Sequence, residues 1–169
     1  MIGNDIVDLQ LAKTESNWQR KGFLDKIFTI NEQLIIKNSK NPEITIWNLW
    51  SRKEAAYKIW NRATGIRKYN PIQFECFDFN MDFGKIHFKN IIYYTKTEIL
   101  NYSLHTIAVS KVEDFNKISI LNNTFLIHKN KGLPYFLDTN IKQIPISKSH
   151  HGNFEKIVYL NNSEFCFQF

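Results

Sequence analysis

The chain has 169 residues, of which 43% are hydrophobic and 15% aromatic. This length and composition favour a single globular domain over residues 1–169 and exclude a disordered chain. No segment approaches the roughly 20 apolar residues that span a bilayer, and the first residues lack the basic and apolar regions of a signal peptide. We therefore expect a cytoplasmic protein that does not cross a membrane.

The net charge is +6, from 22 basic and 16 acidic residues. Such an excess suits an acidic partner, but 18 of the basic residues are lysines in no dense run, so a lysine-rich composition without a function explains it equally well. With only four arginines, the chain is not expected to bind nucleic acid. The two cysteines, Cys76 and Cys166, lack metal-site spacing and are expected to be free buried thiols.

The first forty residues predict one strand and an interrupted helix. Apolar residues over 1–9 indicate a short strand, and residues 22–39 have a helical pattern. That pattern breaks at Phe28, where Thr29 and Glu32 have the spacing of a capping box that begins a new helix.

The clearest element is a helix over residues 42–64. Asn41 is a good N-cap, Pro42 fits the first turn, and Gly65 can end the helix in a left-handed conformation.

The second half of the chain predicts β-structure. Gly84 marks a turn, and a helical turn is expected over residues 114–117. The strand patterns cover residues 73–79, 85–95, 103–110, 124–128 and 157–160. Together with the helices, these strands indicate an α+β chain.

An acidic residue lies within the predicted first strand, in the segment Gly3-Asn4-Asp5. A carboxylate in an apolar strand must be solvated, paired or metal-bound, because a bare buried charge is costly. Asp5 is therefore either a strand-end residue that faces water or a ligand, and the segment alone leaves both readings open.

Residues 50–58 read Trp-Ser-Arg-Lys-Glu-Ala-Ala-Tyr-Lys on the long predicted helix. Glu54 and Lys58 are four residues apart and hence neighbours on its surface. They form either an exposed ion pair, or a carboxylate that binds a metal or accepts a proton beside an ammonium that meets a phosphate. Ala55 and Ala56 would let another backbone approach the helix closely.

Two later segments could contact an anion. Gly132 and Pro134 form a turn framed by lysines, which can present backbone amides and positive charge. Residues 147–152 read Ser-Lys-Ser-His-His-Gly and bring Ser149 and His150 into one short segment. Adjacent histidines point in different directions, so we do not expect a zinc site there.

Together these motifs resemble the 4'-phosphopantetheinyl transferase superfamily, whose signature is a Gly-x-Asp strand followed by a Trp/Phe-Ser-x-Lys-Glu-Ala-x-x-Lys helix. The order of motifs, with the Gly-x-Pro and Ser-His segments after the helix, is similar to that of holo-acyl-carrier-protein synthases. The stretch 73–123 has no clear counterpart in the short synthases. We expect a β-rich insertion there, which leaves the oligomeric state open.

The resemblance implies a long helix packed on an antiparallel sheet, and transfer of 4'-phosphopantetheine from coenzyme A to a serine of an acyl or peptidyl carrier protein. It further implies Mg²⁺ bound by Asp5 and Glu54, with Glu54 and Lys58 as catalytic residues. The coenzyme A contacts that it implies are Lys53, Lys58, Gly132, Pro134, Ser149 and His150. The carrier, of fatty acid biosynthesis or of another pathway, would be acidic and would suit the basic chain.

A second class of function stays open. A chain that kept the motifs without turnover would be a non-catalytic module that binds coenzyme A or a carrier protein. The retained Asp5, Glu54 and Lys58 argue for the enzyme instead.

Overall fold

The computed structural model describes residues 1–122 and 127–161. Those residues form four α-helices, ten strands and two 3₁₀ turns. The helices are α1 (Leu9–Glu15), α2 (Phe23–Ile27), α3 (Ile30–Asn38) and α4 (Pro42–Thr64), and the 3₁₀ turns are Pro71–Gln73 and Val112–Lys117. The strands are β1 (Ile2–Asp8), β2 (Glu75–Phe77), β3 (Phe83–Phe88), β4 (Ile91–Leu100), β5 (Ser103–Val109), β6 (Ile118–Ile120), β7 (Ile127–Asn130), β8 (Leu133–Leu137), β9 (Gln143–His151) and β10 (Phe154–Leu160).

The strands form two five-stranded sheets in which neighbouring strands are antiparallel. The first sheet has the order β1-β5-β4-β3-β2 and the second has the order β6-β10-β9-β8-β7. Helix α4 packs on the first sheet, mainly on β1 and β5. The expected α+β fold, with a long helix on an antiparallel sheet, is confirmed.

Helix α4 begins and ends where its sequence predicts. The Asn41 side chain accepts a hydrogen bond from the Ile44 amide, and Gly65 ends the helix with φ +72°. The helix lies at the centre of the core, because apolar side chains such as Leu49 and Ile59 are fully buried on it. Even Arg52 is fully buried, so the helix is covered around more of its surface than a two-sided pattern predicts.

Strand β1 lies directly against the backbone of α4. A Cβ atom placed on Gly3 would collide with the carbonyl oxygen of Ala55, so only glycine allows this approach. Ala55 and Ala56 are fully buried, which confirms that they admit another backbone. The glycine of the Gly-x-Asp motif thus determines how close Asp5 comes to the helix.

The interrupted helix is confirmed, and one helix was not predicted. Thr29 and Glu32 form a capping box at the start of α3. The first strand does not continue through Leu9, because Asp8 caps the new helix α1 by accepting hydrogen bonds from the amides of Gln10 and Leu11. The signal in the sequence was an aspartate that precedes a short apolar and polar pattern.

The stretch 73–123, where a β-rich insertion was expected, is rich in strands. Its strands β2–β5 belong to the same sheet as β1, and β5 is the backbone partner of β1. Within it, residues 85–95 are not one strand but parts of β3 and β4, which are joined at Lys89, where φ is +54°. The helical turn over 114–117 is confirmed within the second 3₁₀ turn.

The sequence predicted a turn at Gly84, and this prediction is wrong. It lies inside β3, and a Cβ atom there would collide with the guanidinium of Arg52 and with the side chain of Phe79. Gly84 therefore leaves room for a buried arginine, which is a tertiary requirement that a local pattern does not reveal.

The two sheets meet along β1 and β9 through side chains instead of backbone pairs. The amides of Asn4, Ile6 and Asp8 on β1 donate to side-chain atoms of β9, at distances of 2.9, 3.2 and 2.9 Å. The acceptors are Ser147 Oγ, Ser149 Oγ and His151 Nδ1, in that order. Alternate side chains over residues 147–151 thus accept hydrogen bonds from alternate amides over residues 4–8. We call this arrangement the side-chain ladder.

Three further expectations, on the strand over 124–128, the two cysteines and a membrane-spanning helix, can be checked only for the residues that the structure describes. The predicted strand over 124–128 overlaps β7 only at its end, since residues 124–126 lie outside the described residues. Cys76 is a free buried thiol whose pKa is raised by burial, whereas Cys166 lies outside the described residues. Across residues 1–122 and 127–161, no helix is both long and apolar enough to cross a membrane.

Candidate active site

A cavity of about 390 Å³ opens between β1, the helices and the end of β9. Asp5 of β1 and Glu54 of α4 both line it, so the two acidic residues of the sequence motifs lie at one site although they are 49 positions apart. Trp47 and Trp50 of α4 form apolar walls, and His150 lies at the end that β9 contributes. The cavity therefore combines open space, two carboxylates and an apolar lining.

Asp5 is largely buried and paired, and is not an exposed residue at the end of the strand. Only 9% of the residue is exposed. Its Oδ1 accepts hydrogen bonds from Ser149 Oγ at 2.9 Å and from Lys58 Nζ at 3.4 Å. Within the described part of the chain, Oδ2 accepts no hydrogen bond, so one oxygen of the carboxylate is held and the other is open.

Lys58 pairs with β1 and not with its helical neighbour. Its Nζ donates to the carbonyl oxygen of Asn4 at 2.7 Å and to Asp5 Oδ1 at 3.4 Å. The ion pair with Glu54 that the four-residue spacing allowed is absent among residues 1–122 and 127–161. Two of the three ammonium protons are used, and the third can still meet an anion.

Glu54 is a carboxylate with no hydrogen-bond donor among the described residues. The pKa of Glu54 is raised to about 7, mainly by burial and then by the nearby charge of Asp5, while Lys58 opposes both effects. A carboxyl group with a pKa near neutrality is half-ionised at physiological pH and can accept or release a proton. A bound cation would favour the ionised form.

Aromatic rings lie near this carboxylate. The rings of Tyr57 and Tyr69 lie 4.5 Å apart, and Trp50 meets Tyr69 edge-on at 6.0 Å. The pKa of each tyrosine is raised by burial and then by the negative charge of Glu54, which indicates that both rings lie near it. Rings near a carboxylate reduce its contact with water, which is the direction in which burial raises the pKa of Glu54.

Lys53 does not face the cavity, which corrects its expected contact with phosphate. Its side chain is fully buried and its Nζ lies 2.8 Å from Glu32 Oε2. The same ammonium also donates to the carbonyl oxygens of Pro71 and Phe74 at 3.2 and 2.8 Å. All three protons are used inside the protein, so Lys53 joins α3, α4 and the segment before β2.

Of the two coenzyme A contacts predicted on β9, one lines the cavity and the other is buried. His150 is exposed and lines the cavity. Ser149 was expected to contact coenzyme A. It is buried, however, and donates its single hydroxyl proton to Asp5, so this proton is not available to a phosphate.

Gly132 and Pro134, which were expected to form one turn, lie outside the group of residues that line the cavity, and Pro134 belongs to strand β8. Gly132, with φ +81°, sits in the two-residue turn between β7 and β8. Arg67 donates to the carbonyl oxygen of Lys131 at 2.7 Å, and Arg62 to that of Pro134 at 3.2 Å. Two arginines from the C-terminal end of α4 and the loop after it thus hold this turn.

Three further residues belong to the site although the sequence did not predict them as site residues. Arg20 lines the cavity from the loop before α2, His151 lines it from β9, and Tyr69 lies near Glu54 from the loop after α4. His151 is part of the segment 147–152, from which only Ser149 and His150 were expected to make contacts. Arg20 and Tyr69 belong to no motif, so only the folded chain connects them with Asp5 and Glu54.

The donor set of the site suits a hard cation. No cluster of three or more histidine, cysteine or acidic residues among the described residues could hold a metal, so the candidate protein ligands are the open Oδ2 of Asp5 and the carboxylate of Glu54. Two carboxylate oxygens fit Mg²⁺, which usually keeps several waters and is shared with substrate phosphates. Zinc, which prefers three or four nitrogen or sulfur ligands, does not fit.

Comparisons with known proteins agree with this architecture. In sequence, the chain is 33% identical over 57 residues to a holo-[acyl-carrier-protein] synthase of Protochlamydia amoebophila (strain UWE25), and the match covers 34% of this chain and 47% of that protein. The chain thus spans about half the length of this curated relative. Among solved structures, the apo-ACPS of Chronobacterium ammoiniagenes superimposes with a TM-score of 0.51 at 14% identity, covering 64% of this chain and 93% of that chain. The likeness at this identity shows a shared fold.

A holo-[acyl-carrier-protein] synthase from Neisseria meningitidis is similar over 65% of this chain and 96% of its own, with a TM-score of 0.49 and 17% identity. A family model described as the 4'-phosphopantetheinyl transferase superfamily matches residues 1–123. That range includes β1, α4 and the strands β2–β5, and it is well over half of the 169 residues. The chain therefore belongs to the 4'-phosphopantetheinyl transferase superfamily.

Proposed function

We propose that this chain transfers the 4'-phosphopantetheine group of coenzyme A to a serine of an acyl or peptidyl carrier protein. The observation that carries the proposal is the meeting of Asp5 and Glu54, each with open oxygens, in one cavity beside the ammonium of Lys58. In this reaction the serine oxygen bonds to the β-phosphorus of coenzyme A. The bond from that phosphorus to the bridging oxygen breaks, and 3',5'-ADP leaves with that oxygen.

Asp5 Oδ2 and the carboxylate of Glu54 would hold Mg²⁺. When bound there, the cation would neutralise charge on the pyrophosphate oxygens, which is its usual contribution to phosphoryl transfer. The support is the donor set itself, because two carboxylates with little competition from protein hydrogen bonds suit an oxygen-binding cation.

The remaining chemistry belongs to residues of the chain. Glu54 accepts the serine proton directly or through a water. Lys58 has one ammonium proton left, and it donates to a phosphate oxygen as negative charge develops on the leaving group. His150 is exposed beside the cavity and contacts the same phosphates.

A carrier protein with an acidic surface suits the electrostatics of the chain. The net charge of +6 would steer such a partner, and Arg20 brings positive charge to the cavity itself. Raised ionic strength should therefore increase the KM for the carrier more than the KM for coenzyme A, since the latter depends on contacts inside the cavity.

The decisive experiment mixes the protein with an apo carrier protein, coenzyme A and Mg²⁺ and follows the carrier by mass spectrometry. Transfer adds roughly 340 Da, the mass of the phosphopantetheine group. Asp5→Asn and Glu54→Gln should each reduce transfer about 10²–10⁴-fold, the range for loss of an acid–base or charge-stabilising group. Glu113→Gln, which changes an exposed carboxylate in the second 3₁₀ turn, is the matched control and should keep full transfer.

Two results would contradict the proposal. Undiminished transfer in Asp5→Asn or Glu54→Gln would remove the carboxylates from the reaction. Binding of coenzyme A or of the carrier without transfer, across a panel of apo carriers, would instead identify a non-catalytic binding module.

A further inference from the structure

Ser149 lies at the one point where the side-chain ladder touches a candidate metal ligand. Its hydroxyl accepts the amide proton of Ile6 at 3.2 Å and donates its own proton to Asp5 Oδ1 at 2.9 Å. Ser147, two residues earlier on the same strand, accepts the amide proton of Asn4 at 2.9 Å and has no contact with a carboxylate among the described residues. The two serines therefore make the same ladder bond but differ in a single additional bond.

That additional bond determines which oxygen of Asp5 is available. Ser149 and Lys58 both bind Oδ1, and Oδ2 is left without a donor in the described chain. A carboxylate held at one oxygen presents the other in a defined direction, and its rotation is restricted before any ligand binds. Partners of this kind, which bind a metal ligand and not the metal, tune metal affinity through the ligand.

We propose that Ser149 is a positioning residue that orients Asp5 so that Oδ2 faces a bound Mg²⁺. This inference rests on the proposed function, because it assigns Ser149 to the same metal site. Burial of Ser149, at 7% exposure, protects the bond from competition by water. The ladder places Ser149 accurately, since its Oγ is fixed by the Ile6 amide only one residue from Asp5.

The test compares Ser149→Ala with Ser147→Ala by titrating each protein with Mg²⁺ alone in a calorimeter. Both variants lose one hydrogen bond to an amide of β1, and Ser149→Ala also loses its bond to Asp5, so both should unfold at lowered urea concentrations. Ser149→Ala should also weaken Mg²⁺ binding about 10–100-fold, whereas Ser147→Ala should change it much less. Ser149→Thr, which restores a hydroxyl on a residue that strands accept well, should recover most of the affinity.

Equal Mg²⁺ affinities of Ser149→Ala and Ser147→Ala would overturn the inference, and so would an unaltered chain that binds no Mg²⁺. Neither result depends on the transfer assay. If the unaltered chain binds Mg²⁺ and only Ser149→Ala weakens it, the positioning role stands even where no carrier is modified. If carriers are modified normally while the two serine variants behave alike, the proposed function survives and the role of Ser149 does not.

Discussion

Two consecutive residues of helix α4, Lys53 and Glu54, belong to two groups of carboxylates and ammonium ions whose surroundings are opposite. The closed group joins Lys53 to Glu32, both fully buried, with the charged atoms 2.8 Å apart. Besides Lys53, the Glu32 carboxylate accepts the amides of Thr29 and Cys76, each at 2.8 Å. Every proton of the ammonium has an acceptor, and both oxygens of the carboxylate have donors.

The open group contains Asp5, Glu54 and Lys58. There one oxygen of Asp5 and the whole carboxylate of Glu54 accept no hydrogen bond from the described residues, and a cavity lies in front of them. The difference between the two groups shows that a buried charge does not by itself indicate a function. A complete set of partners indicates a structural role, whereas incomplete pairing beside open space indicates capacity for a ligand.

The largest effect is expected for the closed group. Lys53→Met would leave the Glu32 carboxylate buried without its counter-ion and should lower the free energy of unfolding by about 3–5 kcal/mol, measured by urea denaturation. Met keeps much of the volume of the lysine stem, so the loss reports the charge. A loss below about 1 kcal/mol would contradict the structural role of the closed group, because fully partnered ions would then contribute little to stability.

A pH-dependent effect is expected for the open group. The pKa of Glu54 rises from its ordinary value of 4.5 to about 7 in the folded protein, so folding is favoured by the protonated form. Its contribution to stability is complete below pH 4.5 and is lost as the pH rises through about 7. Glu54→Gln should therefore match the unaltered protein at pH 4 and exceed its free energy of unfolding at pH 8 by on the order of 3 kcal/mol.

Addition of Mg²⁺ at pH 8 should reduce that difference, because a bound cation stabilises the ionised carboxylate in the unaltered protein. Urea denaturation at the two pH values, with and without Mg²⁺, measures both effects. A difference that does not change with pH would mean that Glu54 is solvated in the folded state.

The spacing between β1 and α4 should matter for the open group through Gly3. Gly3→Ala places a methyl group against the Ala55 carbonyl oxygen, and we expect a loss of about 1–3 kcal/mol in the free energy of unfolding as β1 moves away. Because Asp5 lies two residues on, transfer should also fall. Gly65→Ala, which strains the left-handed end of α4 at φ +72°, is the control that should lower stability but preserve transfer. Equal transfer by both variants would show that the distance between β1 and α4 does not affect the activity of the site.

The smallest effect on stability is expected for Lys58. Its pair with Asp5 is partly exposed, so Lys58→Met should change the free energy of unfolding by less than about 1 kcal/mol. Lys58 lowers the pKa of Glu54, and its removal should raise that pKa above about 7. Titration followed by NMR of the glutamate carboxyl carbons measures the shift. An unchanged or lowered pKa would show that the ammonium of Lys58 does not act on Glu54.

The elements that could be predicted from the amino-acid sequence are those whose causes are local. The bounds of α4 follow from Asn41, Pro42 and Gly65, and the start of α3 follows from Thr29 and Glu32. Each of these signals acts between residues at most four positions apart, where hydrogen bonding and backbone conformation need no distant partner. The motif resemblance likewise indicated the superfamily and the two acidic residues of the site.

The role of each charged residue, in contrast, depends on the folded chain. Lys53 and Glu54 are neighbours in the chain, but successive side chains on a helix point about 100° apart, so one enters the closed group and the other the cavity. Asp5 receives its bond from Ser149, 144 positions away, and Gly84 leaves room for Arg52 across the sheet. Such contacts depend on which distant segments meet, and neither periodicity nor spacing along the chain carries that information.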